Sequence, residues 1–185
     1  MHPHNAAYTL SLLASPTPHR LALGTTTTLP PTPASFTENP DFLPRLQRLL
    51  GEHAAYDPLV QAEAQQMASP AGASQFGGHL HNPRRALREG AAGGASYQGG
   101  SGGGGVGGWV HVYDRRGVPA FGRIADTEDI FGSLLVDPHG VIVPDQWEPN
   151  RMYRLVSRNG AMRLSPYLRE KVAQGLAAEA EAGGS

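Results

Sequence analysis

Between Ser69 and Gly105 the sequence loses every pattern by which a chain buries itself. The stretch consists mainly of small residues around a basic knot at Arg84, Arg85 and Arg88. It then runs into Gly99 to Gly108, interrupted only by Ser101 and Val106. So little apolar surface does not offset the entropy lost on ordering, and the sequence predicts a disordered, glycine-rich insert over 69–105. Whatever folds must come from residues 1–68 and 106–176. Each piece is small for an independent core, because short chains bury a smaller share of their surface. One interrupted domain is therefore expected, with 177–185 as a frayed Ala/Glu-rich tail.

In the first piece, Tyr8–Leu13 and His19–Thr26 read as extended runs joined through Pro16 and Pro18, a spacing that predicts a β-hairpin. Thr25–Pro33 reads as an exposed connector. Asp41 stands where a helix cap is wanted, and Phe42, Leu43, Leu46, Leu49 and Leu50 then line one face at helical spacing. Asp57-Pro58 repeats the cap-then-proline signal ahead of a weaker stripe, Val60, Ala64 and Met67. In the second piece, Trp109–Tyr113 is a β-branched and aromatic strand bounded by glycine. Phe131–Asp137 and Val141–Pro144 flank the turn Asp137-Pro138-His139-Gly140. Met152–Ser157 and Ala161–Leu164 flank Asn159-Gly160, a dipeptide that tolerates the positive φ of a tight hairpin. Ser165-Pro166 caps a last helix whose Leu168, Val172 and Leu176 share a face. The predicted class is α+β: a small, mostly antiparallel sheet with two to three packed helices, the first hairpin joining the later strands.

Composition narrows the function. With no cysteine, disulfides, thiolate nucleophiles and cysteine-held metals are excluded. A formal net charge of −1 gives no general attraction to nucleic acid or anionic lipid. The longest apolar runs are far too short to cross a bilayer. Residues 1–35 lack acids but hold a single basic residue, Arg20, and are broken by prolines; a cytoplasmic or nuclear address is expected over a mitochondrial one.

No motif in the sequence converges on a reaction. Gly99-Gly100-Ser101-Gly102-Gly103 has the spacing of a hydrolase nucleophile but no apolar strand before it, and it lacks the Gly-Lys-Ser/Thr ending of a phosphate loop. The pairs His2/His4 and His79/His81 suit adventitious metal at most. Asp126, Glu128 and Asp129 form an acidic cluster, read first as solvated or paired with Arg123 and second as an acid/base or cation site. His111 reads first as cover for a sheet face. Arg154 and Arg158 fall on one strand face by alternation and suit an acidic partner or an anion. Ser/Thr-Pro dipeptides at Ser15, Thr17, Thr32 and Ser69 admit proline-directed phosphorylation.

Glu38-Asn39-Pro40-Asp41-Phe42-Leu43, Gly107-Gly108-Trp109-Val110-His111-Val112, Gly122-Arg123-Ile124 with Glu128-Asp129-Ile130-Phe131-Gly132, and Tyr153-Arg154-Leu155 before Leu164-Ser165 together resemble a pattern of small uncharacterised fungal proteins. That resemblance spans about half the chain; it implies kinship and one coherent fold, and it carries no activity, cofactor or site residue. The function expected is therefore a non-enzymatic protein-binding or adaptor protein, without cofactor or metal. Its expected surface is Trp109, His111, Tyr113, Arg154 and Arg158, since aromatics and arginine commonly anchor interfaces. The rival is a small enzyme for a phosphorylated or carboxylated metabolite, with Asp126, Glu128, Asp129 or His111 as acid/base and Arg154 as anion clamp. RNA contact through Arg84, Arg85 and Arg88 ranks last.

Overall fold

The computed structural model describes residues 7–14, 18–69, 107–120 and 123–182. The expected insert beyond Ser69 lies outside them. So do the Gly99–Gly103 string, His2, His4, His79, His81, the basic knot at 84–88, Ser15 and Thr17.

The fold is α+β. In chain order its elements are β1 (Tyr8–Leu10), β2 (Gly24–Thr26), β3 (Phe36–Glu38), α1 (Phe42–His53) and α2 (Pro58–Ala68). After the undescribed stretch follow β4 (Gly108–Tyr113), β5 (Ile130–Val136), β6 (Ile142–Pro149), β7 (Val156–Ser157), β8 (Gly160–Ala161) and α3 (Pro166–Ala182). The strands form three antiparallel sheets, β1-β2-β3, β4-β5-β6 and β7-β8.

The first hairpin does not join the later strands as expected. It pairs instead with β3, which sequence reading missed, through Gly24↔Glu38 and Thr26↔Phe36. Gly24 permits this: a Cβ there would sit 2.2 Å from the Thr37 carbonyl and 2.8 Å from the Phe36 ring. The 25–33 segment is likewise no simple connector. Thr26 is buried, and the loop after it is folded around Ser35, whose Oγ accepts from Thr28 Oγ1 at 2.8 Å, the Thr32 amide at 2.9 Å and Thr32 Oγ1 at 3.0 Å.

Helix α1 starts at Phe42 as expected, but Asp41 does not cap it. Asp41 already has helical dihedrals and its side chain makes no cap bond. The buried Asn39 organises the entry instead, accepting from the Asp41 amide at 3.1 Å and donating to the Ala22 carbonyl at 2.8 Å. The caps of α2 and α3 do form: Asp57 Oδ1 accepts from the Leu59 amide at 3.0 Å, and Ser165 Oγ from the Leu168 amide at 3.1 Å. Helix α3 continues to Ala182, so the part of the tail over 177–182 is helical, not frayed. Glu179 explains the difference, pairing with Arg45 at 3.1 Å and also with Arg48.

Val110, Val112, Leu134 and Val136 line the core face of the main sheet. There they join Phe42, Leu46 and Leu50 of α1, Val60 and Ala64 of α2, and Leu168, Val172 and Leu176 of α3 in one cluster. Residues from both sides of the glycine-rich stretch thus share a core. Trp147 of β6 seals one end by lying between two glycines; a Cβ on Gly132 would fall 2.5 Å from its ring, and one on Gly51 3.0 Å. Among the described residues no helix is long and apolar enough to cross a membrane.

Candidate functional site

Strand β4 ends in the turn Asp114-Arg115-Arg116-Gly117, which sequence reading passed over. The Arg116 side chain folds back into the protein and is only 2% exposed. Its Nε donates to Asp129 Oδ1 at 2.8 Å, its Nη1 to the carbonyls of Leu155 and Gly160 at 3.0 Å each, and its Nη2 to those of Glu128 at 2.9 Å and Arg154 at 2.5 Å. Every N–H of the guanidinium is therefore used within the chain. Asp129 also accepts from Ser157 Oγ at 2.8 Å and Asn159 Nδ2 at 2.5 Å. Asp114 accepts from Tyr153 Oη at 2.8 Å and from the amides of Arg116 and Arg163. Burial holds the Asp114 carboxyl above its ordinary value even though Arg116 and Tyr153 pull it down, and burial with the nearby Asp114 charge raises the Tyr153 phenol. Gly117 is required here, since a Cβ would stand 2.6 Å from Asp129 Oδ2. The cluster clamps β4, the 126–129 turn and the β7–β8 hairpin together, and its guanidinium has no donor left for a ligand.

This clamp also decides where the sequence-predicted residues stand. Arg154 and Arg158 do not share a strand face. Strand pairing begins only at Val156, because the backbone before it bonds to Glu128 and Arg116, and Arg158 lies in the turn after β7. Arg158 is exposed and pairs with Asp126 at 2.7 Å, so the acidic cluster takes Arg158 and Arg116, not Arg123, as its partners. Those bonds with Arg158 and Asn159 hold the Asp126 carboxyl below its ordinary value. Trp109, His111 and Tyr113 alternate onto the sheet face opposite Val110 and Val112. Arg154 instead donates its amide to the Glu128 carbonyl and accepts from Arg116, and Arg158 pairs with Asp126. His111 is 7% exposed, with Nδ1 2.7 Å from Ser133 Oγ, its cross-strand neighbour in β5, and its ring edge-on to Tyr113. That Ser–His pair is a register contact inside the sheet, and burial pushes the imidazole pKa down. Among the described residues no group of three or more His, Asp or Glu side chains could hold a metal ion.

Beside His111, α2 meets β4 along a polar seam. Asp57, Glu63, His111, Tyr113, Arg115 and Ser165 enclose a cavity of about 10 Å³, room for about one water and no substrate. Ser165 Oγ donates to Asp57 Oδ2 at 2.6 Å, tying the caps of α2 and α3 together. Glu63 has no hydrogen-bond donor among the described residues. Burial, reinforced by Asp57 and opposed by Arg115, pushes its carboxyl up to about 7, and burial beside Glu63 pushes the Tyr113 phenol up to about 12.

Two larger hollows open on the surface. One, of about 300 Å³, lies between Pro40, Leu43 and Pro44 at the start of α1 and Pro149 at the end of β6, with Glu38 and Arg151 at its rim. The other, of about 280 Å³, is set between the α1–α2 corner and the β5–β6 hairpin. Its walls are Tyr56, Gln61 and Gln65 on one side and Val141, Ile142 and Pro144 on the other, and no charged residue lines it. Tyr56 is 63% and Val141 60% exposed, large apolar side chains left in water at the mouth of a concavity. A readable signal existed for both: Tyr56 stands directly before the Asp57 cap and Val141 directly after the Gly140 turn, places where polar residues are usual.

The fold and these hollows define an α+β protein with a buried polar clamp around Arg116 and an uncharged apolar recess. No family model, curated protein or solved structure matches it.

Proposed function

We propose that the protein is a non-enzymatic protein-binding or adaptor protein, and that its partner docks an uncharged apolar side chain into the hollow between Tyr56 and Val141. The observation that carries this is the exposure of those two side chains at the mouth of a concavity without charge. A partner charge placed there would be desolvated without a counter-charge, so the recess selects against charged anchors. Three further features support binding. The acids considered for catalysis stand apart from His111, with Asp129 committed to Arg116 and Asp126 to Arg158. His111, at 7% exposed, offers little surface to a partner. Strand addition at β6 is also blocked, because Pro144 and Pro149 lack a donor and Asp145 sits at φ 60°. A cytoplasmic or nuclear address and kinship with small fungal proteins belong to the same proposal.

The test is site-specific photocrosslinking in extract of the protein's own cells, with the crosslinker at Tyr56, at Val141 and, as a control, at Gln174 on the exposed side of α3. A discrete protein captured from the first two sites, absent from the third and competed by unlabelled protein, is the expected result. Capture of nothing, or of the same set from all three, would overturn the reading.

A further inference from the structure

We propose that the hollow between the start of α1 and the end of β6 binds a small zwitterion, an α-amino acid with an apolar side chain, its ammonium held by Glu38 and Gln47 and its carboxylate by Arg151. The site shares no residue with the Tyr56–Val141 recess and stands whether or not that recess takes a partner. Its volume, about 300 Å³, falls at the lower end of small-molecule sites, which suits a ligand of this size.

The hollow is rich in acceptors and poor in donors. The Gln47 side chain lines it, with Nε2 committed to the Phe131 carbonyl at 3.0 Å and Oε1 buried on the other edge of the amide without a donor. An acceptor buried in this way costs free energy until a donor arrives. The walls do not supply one. Pro40, Pro44 and Pro149 have no N–H, and Asn150 spends its amide on the Phe131 carbonyl at 3.0 Å and its Nδ2 on the carbonyls of Ile130 at 2.8 Å and Thr127 at 2.6 Å. No described residue donates to the Glu38 carboxyl either. Burial raises it and the Arg154 charge offsets that only in part, so a further cation beside it is favoured. On the rim Arg151 is exposed and has no described partner. Two opposite charges therefore line one hollow without an ion pair between them, and Leu43 with the prolines offers apolar surface for an aliphatic side chain. An ammonium, all donor, matches Glu38 and Gln47 Oε1, while a guanidinium meets a carboxylate with paired donors. A simple amine would leave Arg151 unused and a simple acid would leave both acceptors unused, so the rim selects both charges on one ligand.

Titration of the full chain with L-leucine near neutral pH, followed by the side-chain amide signals of Gln47 and Asn150 and the Nε signal of Arg151, tests this on the unaltered protein. Saturable shifts at these groups are expected, with a Kd of about 1 mM. Leucinamide, which lacks the carboxylate, and isocaproate, which lacks the ammonium, are each expected to bind about tenfold more weakly or worse. Glu38→Gln should weaken leucine binding about tenfold, and Arg151→Gln should bring leucine down to the level of leucinamide. No saturable shift up to about 20 mM leucine, shifts confined to other residues, or binding of either analogue as tight as that of leucine overturns the proposal. Because the three compounds are compared on the wild-type chain, a variant that fails to fold does not alter the outcome.

Discussion

Replacing Arg116 by methionine keeps most of the side-chain volume while removing the charge and every donor. Four carbonyls lose a bond, but the loss is uneven. The Glu128 carbonyl still accepts from the Arg154 amide at 3.2 Å and the Leu155 carbonyl from the Met162 amide at 2.8 Å. Asp129 and Asp114 suffer most, left as neighbouring buried carboxylates without a cation. Breaking a buried pair from one side typically costs about 3–5 kcal/mol, and we expect a loss in that range, out of the roughly 5–15 kcal/mol usual for a domain. Arg116→Lys should recover only part of it, since one ammonium cannot reach Asp129 and carbonyls on both sides of the cleft. Arg116→Met with Asp129→Asn should be more stable than Arg116→Met alone, because one stranded charge is gone. Urea unfolding followed by far-UV circular dichroism gives the ranking. The deficit should shrink at low pH, where Asp114, already raised by burial, takes up a proton more readily. A loss below about 1 kcal/mol for Arg116→Met, or no rescue by the second change, would mean that water replaces the guanidinium and that the clamp does not hold the fold.

Glu63 gives a prediction with a definite sign: its folded pKa, about 7, lies above the ordinary 4.5, so its favourable contribution is full below 4.5 and is lost as pH rises through about 7. The ceiling is about 3 kcal/mol, reduced to about 1 kcal/mol by water at the half-buried carboxyl, and the wild type minus Glu63→Gln stability difference across that window measures it. Gly132→Ala must push both the Trp147 ring and the Glu148 carbonyl, at 2.5 and 2.6 Å, and should cost about 2–3 kcal/mol or more in thermal unfolding. Gly51→Ala meets only the Trp147 ring, at 3.0 Å, and gains helix propensity of about 1 kcal/mol, so it should come out near neutral. Asp57→Ala and Ser165→Ala should each cost about 1–2 kcal/mol, and together less than their sum, because the 2.6 Å bond joining the two caps is lost only once; additive losses would show that the caps act separately.

What was legible in the sequence is what depends on near neighbours. Asp57-Pro58 and Ser165-Pro166 announce their helices because a cap is satisfied within three residues, and Asn159-Gly160 announces its turn because the backbone geometry is intrinsic to glycine. Arg116 shows the opposite case. In Asp114-Arg115-Arg116-Gly117 it looks like any charged turn residue, and its burial is decided by carbonyls 12 to 44 positions away. The same distance hid β3, since Phe36–Glu38 becomes a strand only where Gly24 leaves room for the Thr37 carbonyl and the Phe36 ring. It hid the end of α3 as well, where Glu179 reaches arginines more than a hundred residues earlier. The expected surface was only partly legible for a related reason. Alternation correctly put Trp109, His111 and Tyr113 on one face, but a period-two pattern says nothing of what covers that face, and here α2 closes over His111. The exposed Tyr56 and Val141 are local exceptions: apolar side chains at a helix entry and after a turn. A residue that breaks the expectation of its immediate neighbourhood, with no core to receive it, is the kind of functional signal that a single sequence can display.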